Sequence, residues 1–453
     1  MQEGYFVLTL PLKLEPWQER RLNKALEVNR QIYNAMLREG VKRYRQMAQT
    51  RLYRSLKEKL KACREPAERK QIYKELDCLQ GQYRLRPSDF SKDSTKYRRY
   101  FQDNTDAPIV QNLAACVSRA ISNLLNGRAE KVYYKPADGL NCISGKTNKT
   151  SIRYREGFLY WKELRLEVVL KGNAYERQAL SSKLCFCRIK RKMIRGRYRY
   201  DAELVLKGVC PVKKAIPICK TGTVGIKSSL NSMTAVSAEK IWKTRIPRSS
   251  DELERQRKEL ARRLERSRRT NNPENYEKNG RVRKGVFLWH QSINYRNLIK
   301  EYAEILRMQK VLRDERQRHC MERLLKMGDS FVFEEFSYQS MKYGGRKVED
   351  AAPASFFRRF RWKAERQGRI CRPVDALQAR SSSMNHSTGE VEKLPASQTS
   401  RRIEGYEIDR QCYGAFLLRH IDPENNRIHI ESCRKDFPQF LELYQSYELR
   451  QAV

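Results

Sequence analysis

The chain reads as a multidomain α+β protein. A helical lobe is inserted in a β-rich module, and an α/β core follows. Three observations predict this. A strand-like run, YFVLTLPL at 5–12, stands alone before a long helical pattern. After residue 127 the texture changes to short alternating segments such as LRLEVVL and RYRYDAELVLKG. Beyond residue 220, short apolar runs alternate with long charged helical stretches. A chain of 453 residues has room for two to four domains with real cores.

The elements follow in order. Residues 15–47 carry an apolar stripe at Leu22, Leu26, Ile32, Met36 and Leu37, which predicts a helix. Residues 51–79 read as a second helix, rich in Lys, Arg and Glu. The stretch 85–107, with its KYRRYFQDN, reads as a loop. Residues 109–125 read as a third helix, stopped at Asn126-Gly127. Residues 131–210, from KVYYKP onward, form a β-rich module punctuated by Gly157, Gly172 and Gly196. The first strand belongs to it, so the helices between are an insertion. Next come a hairpin at 220–245, helices at 250–269 and 297–327, and a loop at 271–284 between those helices. A strand at 330–336, a helix within 346–370, a polar stretch at 371–402 and helices at 409–420 and 437–449 complete the chain.

Charge limits the partners. Lys plus Arg number 94 against 53 Asp plus Glu, a net of +41 spread along the whole chain. Such self-repulsion is relieved by a polyanion, so nucleic acid is the expected partner. No run of 18 apolar residues is present, and no membrane partner is expected. The start, MQEGYFVLTLPLKL, reads as a folded strand and not as a signal peptide. Twelve scattered cysteines without a CxxC suit a reduced, cytoplasmic, nucleoid-associated protein with no structural zinc.

The segment GTVGIKSSLNSMTAV at 222–236 is shaped like the opening hairpin of a metal-dependent nuclease. The order of that hairpin, the acid-bearing strand SFVFEEF and a helix start near 410 matches an RNase H-like core. Such a core cleaves phosphodiesters with two divalent metals, which need three or four converging carboxylates.

These motifs resemble those of the TnpB family of transposon-encoded RNA-guided nucleases, relatives of the Cas12 effectors. The resemblance runs over nearly the whole chain. It includes LTLPLKLEPWQERRLNKALEVNRQIYNAML, CFCRIKRKMIRGRYRYDAELVLKG, GTVGIKSSLNSMTAV, SFVFEEFSYQSMK and YEIDRQCYGAFLLRH. It implies a wedge domain from 1–13 and 127–215, a helical recognition lobe at 14–126, and a RuvC-like domain from 216–370 and 403–453. Residues 371–402 would be a degenerate zinc-ribbon insertion. There Cys371 lacks partners, His386 reads as an ordinary loop histidine, and a hairpin around MNHSTGEVEK survives without metal.

The resemblance places the three metal-binding acids at Lys227, Glu334 and Gln411. Two of the three are replaced, and Asp409 sits on a flanking position. The expectation is a Lys227–Glu334 pair and no catalytic Mg. Guide RNA and target double-stranded DNA are the implied partners. The expected function is nuclease-inactive, RNA-guided DNA binding that forms an R-loop and represses transcription. The alternatives are a weakly active endonuclease, using Asp409 or Glu335 in a shifted site, and an RNA chaperone with no DNA target.

Basic side chains supply the expected grip. Arg153, Arg155, Arg188, Arg191, Arg195, Arg197 and Arg199, interleaved with Tyr154, Tyr198 and Tyr200, suit RNA scaffold binding. Arg262, Arg263, Arg266, Arg268 and Arg269 suit a guide–target duplex. Arg30, Lys42, Arg43 and Arg45 on the first helix are further candidates.

Overall fold

The computed structural model describes residues 4–213, 215–229, 232–286, 288–335, 352–392, 394–395 and 397–452. Two compact units are present, Met1–Pro211 and Val212–Val453.

In the first unit, β1 (Gly4–Lys13) leads into α1 (Pro16–Ala48). Then come α2 (Arg51–Ala62), α3 (Pro66–Gln82), α4 (Pro87–Tyr100) and α5 (Ala107–Leu125). The chain continues through β2 (Cys142–Ser144), β3 (Arg153–Arg155), β4 (Phe158–Trp161), β5 (Leu164–Val168), α6 (Ala174–Leu180), β6 (Lys183–Ile194) and β7 (Arg197–Gly208). The sheet runs β2-β6-β7-β1-β5-β4-β3 and is antiparallel throughout. β1 lies between β7 and β5, so the helices are an insertion in this module, as the sequence predicts.

Helix α1 joins two cores. Its first turns place Leu22, Ala25 and Leu26 against the sheet. Its later turns place Ile32, Met36 and Leu37 among the other helices. The β6–β7 hairpin turns through Arg195 (φ 50) and Gly196 (φ 73), the pair of positive angles that matches the strand twist.

Three local expectations are corrected. The single helix expected over 51–79 is two, because Pro66 holds Glu65 extended at ψ 127. The loop expected over 85–107 contains α4. Pro87 starts it, Asp89 accepts from the Arg86 backbone at 3.1 Å, and Phe90 is buried against the helical core. The segment KVYYKP, expected as a strand, is irregular and pairs with no strand among the described residues.

The second unit holds β8 (Thr223–Ser228), β9 (Ser232–Val236), β10 (Ile241–Arg245), α7 (Asp251–Thr270), α8 (Ile293–Leu325) and β11 (Ser330–Glu335). It continues with α9 (Pro353–Glu365), β12 (Ile370–Asp375), α10 (Ala376–Ala379), β13 (Ser400–Ile403), β14 (Tyr406–Asp409), α11 (Arg410–Arg419) and α12 (Ile430–Ala452). The main sheet runs β10-β9-β8-β11-β12. The first three strands form an antiparallel meander, and β8, β11 and β12 are parallel. A cut at residue 371 therefore falls inside β12, whose run Ile370–Asp375 is an edge of this sheet.

Helices cover both faces of the sheet. Val224, Ile226, Phe331 and Phe333 face α8 and α9, with Phe331–Phe360 at 5.0 Å and Phe333–Phe357 at 5.3 Å. The alternate residues face α11, a consequence of the two-residue strand period. Gly225 makes this close approach possible: a Cβ there would stand 1.9 Å from the Ala415 carbonyl oxygen.

Candidate functional site

β8 and β11 are parallel neighbours in the register Phe333↔Ile226, which brings Glu334 abreast of Lys227 on the α11 face. Lys227 Nζ donates to Glu334 Oε2 at 2.6 Å and to Ser381 Oγ at 2.7 Å. Ser381 Oγ in turn donates to Glu334 Oε1 at 2.5 Å. The three residues are 4%, 3% and 1% exposed. Gly414 of α11 leaves room for the lysine stem, since a Cβ there would stand 3.3 Å from Lys227 Cδ. Burial pulls the Lys227 ammonium below its ordinary range, and the Glu334 carboxylate pulls it back up.

The other acids of these motifs do not join the pair. Asp409 caps α11, its Oδ1 accepting from the backbone of Gln411 at 2.9 Å and of Cys412 at 3.0 Å. Its Oδ2 accepts from Lys243 at 2.6 Å. Gln411 lies in the first turn of α11, and its Oε1 is buried without a hydrogen-bond partner among the described residues. Glu335 is exposed, and strand alternation sends it to the face opposite Glu334.

The residues do not fit a two-metal centre. The ammonium of Lys227 holds the place of a cation, and both oxygens of Glu334 are engaged. Among the described residues no three His, Cys, Asp or Glu side chains come together as a metal set.

A hairpin forms over residues 384–391. Met384 bridges Val391, and Asn385 N donates to Glu390 O at 2.8 Å. His386 is not an ordinary loop histidine, because it is wholly buried. Its Nδ1 lies 2.8 Å from Tyr413 Oη and its ring 4.4 Å from that of Phe437. Burial, with Arg434 nearby, lowers its pKa to about 4. The hairpin thus docks through an aromatic core, which short-range sequence pattern does not reveal.

The expected arginines divide into exposed and committed groups. Arg153, Arg155, Arg195, Arg197 and Arg199 are exposed on the first unit's sheet. Arg188 is half-buried and lies 3.6 Å from Glu203. Arg191 is a correction: its side chain is 2% exposed. It donates to Asn141 Oδ1 at 3.0 Å, Asn23 Oδ1 at 2.7 Å and Asp138 at 3.3 Å, and it lies over the Tyr198 ring at 4.2 Å. Tyr200 is likewise buried, donating to Asn23 Oδ1 at 2.6 Å. Both hold the sheet to α1 and are inaccessible to a base or phosphate. Tyr154 is half-buried against the same core.

On α7, Arg262, Arg263 and Arg266 are exposed, with no carboxylate in salt-bridge range among the described residues. Arg268 is tied to Glu265 at 2.8 Å and to Tyr276 Oη at 2.8 Å, and lies over Trp289 at 4.9 Å. Arg269 pairs with Glu265 at 2.9 Å. On α1, Arg30 is bound to Glu27 at 2.6 Å and Arg43 to Asp93 at 2.7 Å, while Lys42 and Arg45 are exposed.

Two features escaped the sequence reading. Ser381 completes the Lys227–Glu334 pair from a stretch that looks like a polar loop. The loop after α7 is also rigidly built. Buried Asn272 donates to Arg268 O at 2.9 Å and His290 O at 3.0 Å, and Asn275 donates to Leu288 O at 2.8 Å. This scaffold presents exposed Lys278, Arg281, Arg283 and Lys284. The density of Lys and Arg after the Asn-rich turn at 271–275 was the available signal.

No family model and no curated protein matches the sequence. Solved structures do. A cryo-EM structure of a Cas12f1–sgRNA–target DNA complex matches at TM-score 0.43 and 10% identity, over 93% of this chain and 99% of that chain. A CRISPR-Cas12f ternary complex matches at TM-score 0.28 and 12% identity, over 90% of this chain and 82% of that one. A Cas12i–crRNA–dsDNA complex matches at TM-score 0.22 and 10% identity, over 94% and 64%. The chain is distantly similar in structure to these Cas12 chains.

Proposed function

We propose that this protein binds double-stranded DNA under the direction of a guide RNA, without cutting it. The observation that carries the reading is the Lys227 ammonium bonded to Glu334 at 2.6 Å inside the pocket where the motifs lead one to expect a metal. Hydrolysis by two metals needs several carboxylates on one pocket. Here one carboxylate is neutralised by a lysine, and Asp409, at the end of β14, caps α11 and pairs with Lys243. Three segments distant in sequence, β8, β11 and α11, meet on one sheet and its covering helix, which supports the RuvC-like reading. The exposed arginines of β3, the β6–β7 hairpin and α7 support a nucleic-acid partner.

In this reading the protein needs guide RNA and neither zinc nor catalytic Mg. It opens the duplex beside a short flanking motif, forms an R-loop and blocks transcription by occupancy. The test begins with sequencing the RNA that co-purifies. The protein–RNA complex is then incubated with duplex DNA matching the guide, in Mg²⁺ or Mn²⁺. Guide-dependent gel retardation of intact DNA is the expected result. Cleavage that disappears in Glu334→Ala would overturn the proposal, and retention of RNA with no guided DNA binding would leave an RNA chaperone.

A further inference from the structure

Between α5 and β2, residues 131–136 read KVYYKP and join no strand among the described residues, yet the backbone of Lys135 is held from α1. Asn34 accepts from Lys135 N at 2.9 Å and donates to Lys135 O at 2.9 Å. Arg30 Nη1 donates to the same carbonyl at 2.9 Å. Val132 packs against the helical core from its own side. Tyr133 and Tyr134 stay outside, 69% and 49% exposed. Lys131 Nζ stands 5.2 Å from the Tyr133 ring, and Lys135 Nζ stands 4.9 Å from Tyr33.

We infer that residues 131–135 form a stacking platform on which Tyr133 and Tyr134 receive bases of an unpaired nucleic-acid strand, with Lys131 and Lys135 beside its phosphates. This inference deepens the proposed function and rests on its nucleic-acid reading. A buried tyrosine needs no further account, but two adjacent exposed rings next to a residue whose backbone is held by three hydrogen bonds do. Stacking suits them, because every base offers a π-face and the exchange is tolerant of sequence. Anchoring the segment at Lys135 beforehand removes part of the ordering cost of binding. Charge selects the occupant: the flanking ammonium groups and the chain's net of +41 favour a polyanion over an apolar protein surface. Of the carboxylates beside the segment, Asp138 is engaged by Arg191 at 3.3 Å. Paired bases are already stacked within a duplex, so the strand that fits is an unpaired one.

The test uses the full chain freed of RNA. Its probes are a 12-nucleotide oligo(A) strand carrying 2-aminopurine, in DNA and RNA forms, and an abasic strand of the same length. Wild type is expected to bind the base-bearing strand more tightly than the abasic one and to change 2-aminopurine emission. Tyr133→Ala/Tyr134→Ala should weaken the base-bearing complex by about tenfold or more and leave the abasic complex unchanged. Tyr133→Phe/Tyr134→Phe should restore binding, which a role for the hydroxyls would not allow. A stronger RNA arm assigns the platform to unpaired guide RNA, and a stronger DNA arm to an opened DNA strand; both support stacking. Equal binding of base-bearing and abasic strands by wild type, or full binding by the double alanine variant, overturns the inference. Guided duplex binding is scored separately. If it is absent while the rings still govern strand binding, the functional reading fails and the platform stands.

Discussion

Lys227 in the five-stranded sheet and Arg191 in the seven-stranded sheet are both buried cations, 4% and 3% exposed. They are held in different ways. Lys227 faces a carboxylate that is as buried as itself, closed by one serine. Arg191 spreads its donors over the amide oxygens of Asn23 and Asn141 and over Asp138, whose side chain is 66% exposed. The first arrangement is an ion pair inside a pocket, and removing either member strands a charge. The second is a clamp that ties β6 to α1 and to the chain before β2, and it needs no buried anion. The contrast teaches that a basic residue in a strongly basic chain can be electrostatic filler, structural bolt or surface grip, and that burial and partners sort these roles.

The largest expected effect tests the pair. Lys227→Ala leaves Glu334 buried and uncompensated, and should destabilise the second unit by about 3–5 kcal/mol in urea titration. The double change Lys227→Met with Glu334→Leu should recover most of that loss. Failure to recover it would mean the pocket is held by more than charge neutralisation. Arg191→Ala should cost about 2–3 kcal/mol in the first unit, because it strips charged hydrogen bonds from the amide oxygens of Asn23 and Asn141. Arg191→Lys should recover only part, since an ammonium lacks the planar fork.

Acid should separate the two units further. All five histidines lie beyond residue 212. Burial first, then a neighbouring arginine, lowers His386 and His420 to about 4. Both are therefore depressed below the ordinary histidine value of about 6.5. Their neutral forms support the fold above that value, and the support drains away as pH falls from about 6.5 to about 4. Melting of the second unit should drop over this window, and His386→Phe should make the slope shallower. A first unit that loses as much over the same window would break the comparison. The smallest stability change belongs to the surface. Neutralising Lys278, Arg281, Arg283 and Lys284 together should shift melting little, yet weaken nucleic-acid binding and flatten its salt dependence.

Much of the fold was legible because it rests on local pattern. Alternation identified the β module, and the punctuating glycines placed its turns. The apolar stripe of α1 and the acid strand β11 could also be read directly. The helix α4 was hidden because only Phe90 and Ser94 of its residues are buried, a stripe too thin to register among Lys and Arg. Ser381 was hidden because nothing in a run of three serines says which one meets Glu334. The burial of Arg191 depended on Asn23, far away in sequence, and that of His386 on Phe437.

The sequence by itself determined which residues could carry charge, which strands had one wet face, and that Lys227 and Gln411 stand where the resemblance leads one to expect acids. Strand parity even put Lys227 and Glu334 on the same face once the two strands were neighbours. Only the tertiary structure decided that they touch, that Ser381 closes the network, and which arginines remain free to meet a partner. The physical reason is that side-chain type and period are local properties, whereas an ion pair, a clamp or an exposed ring depends on what the rest of the chain brings beside it.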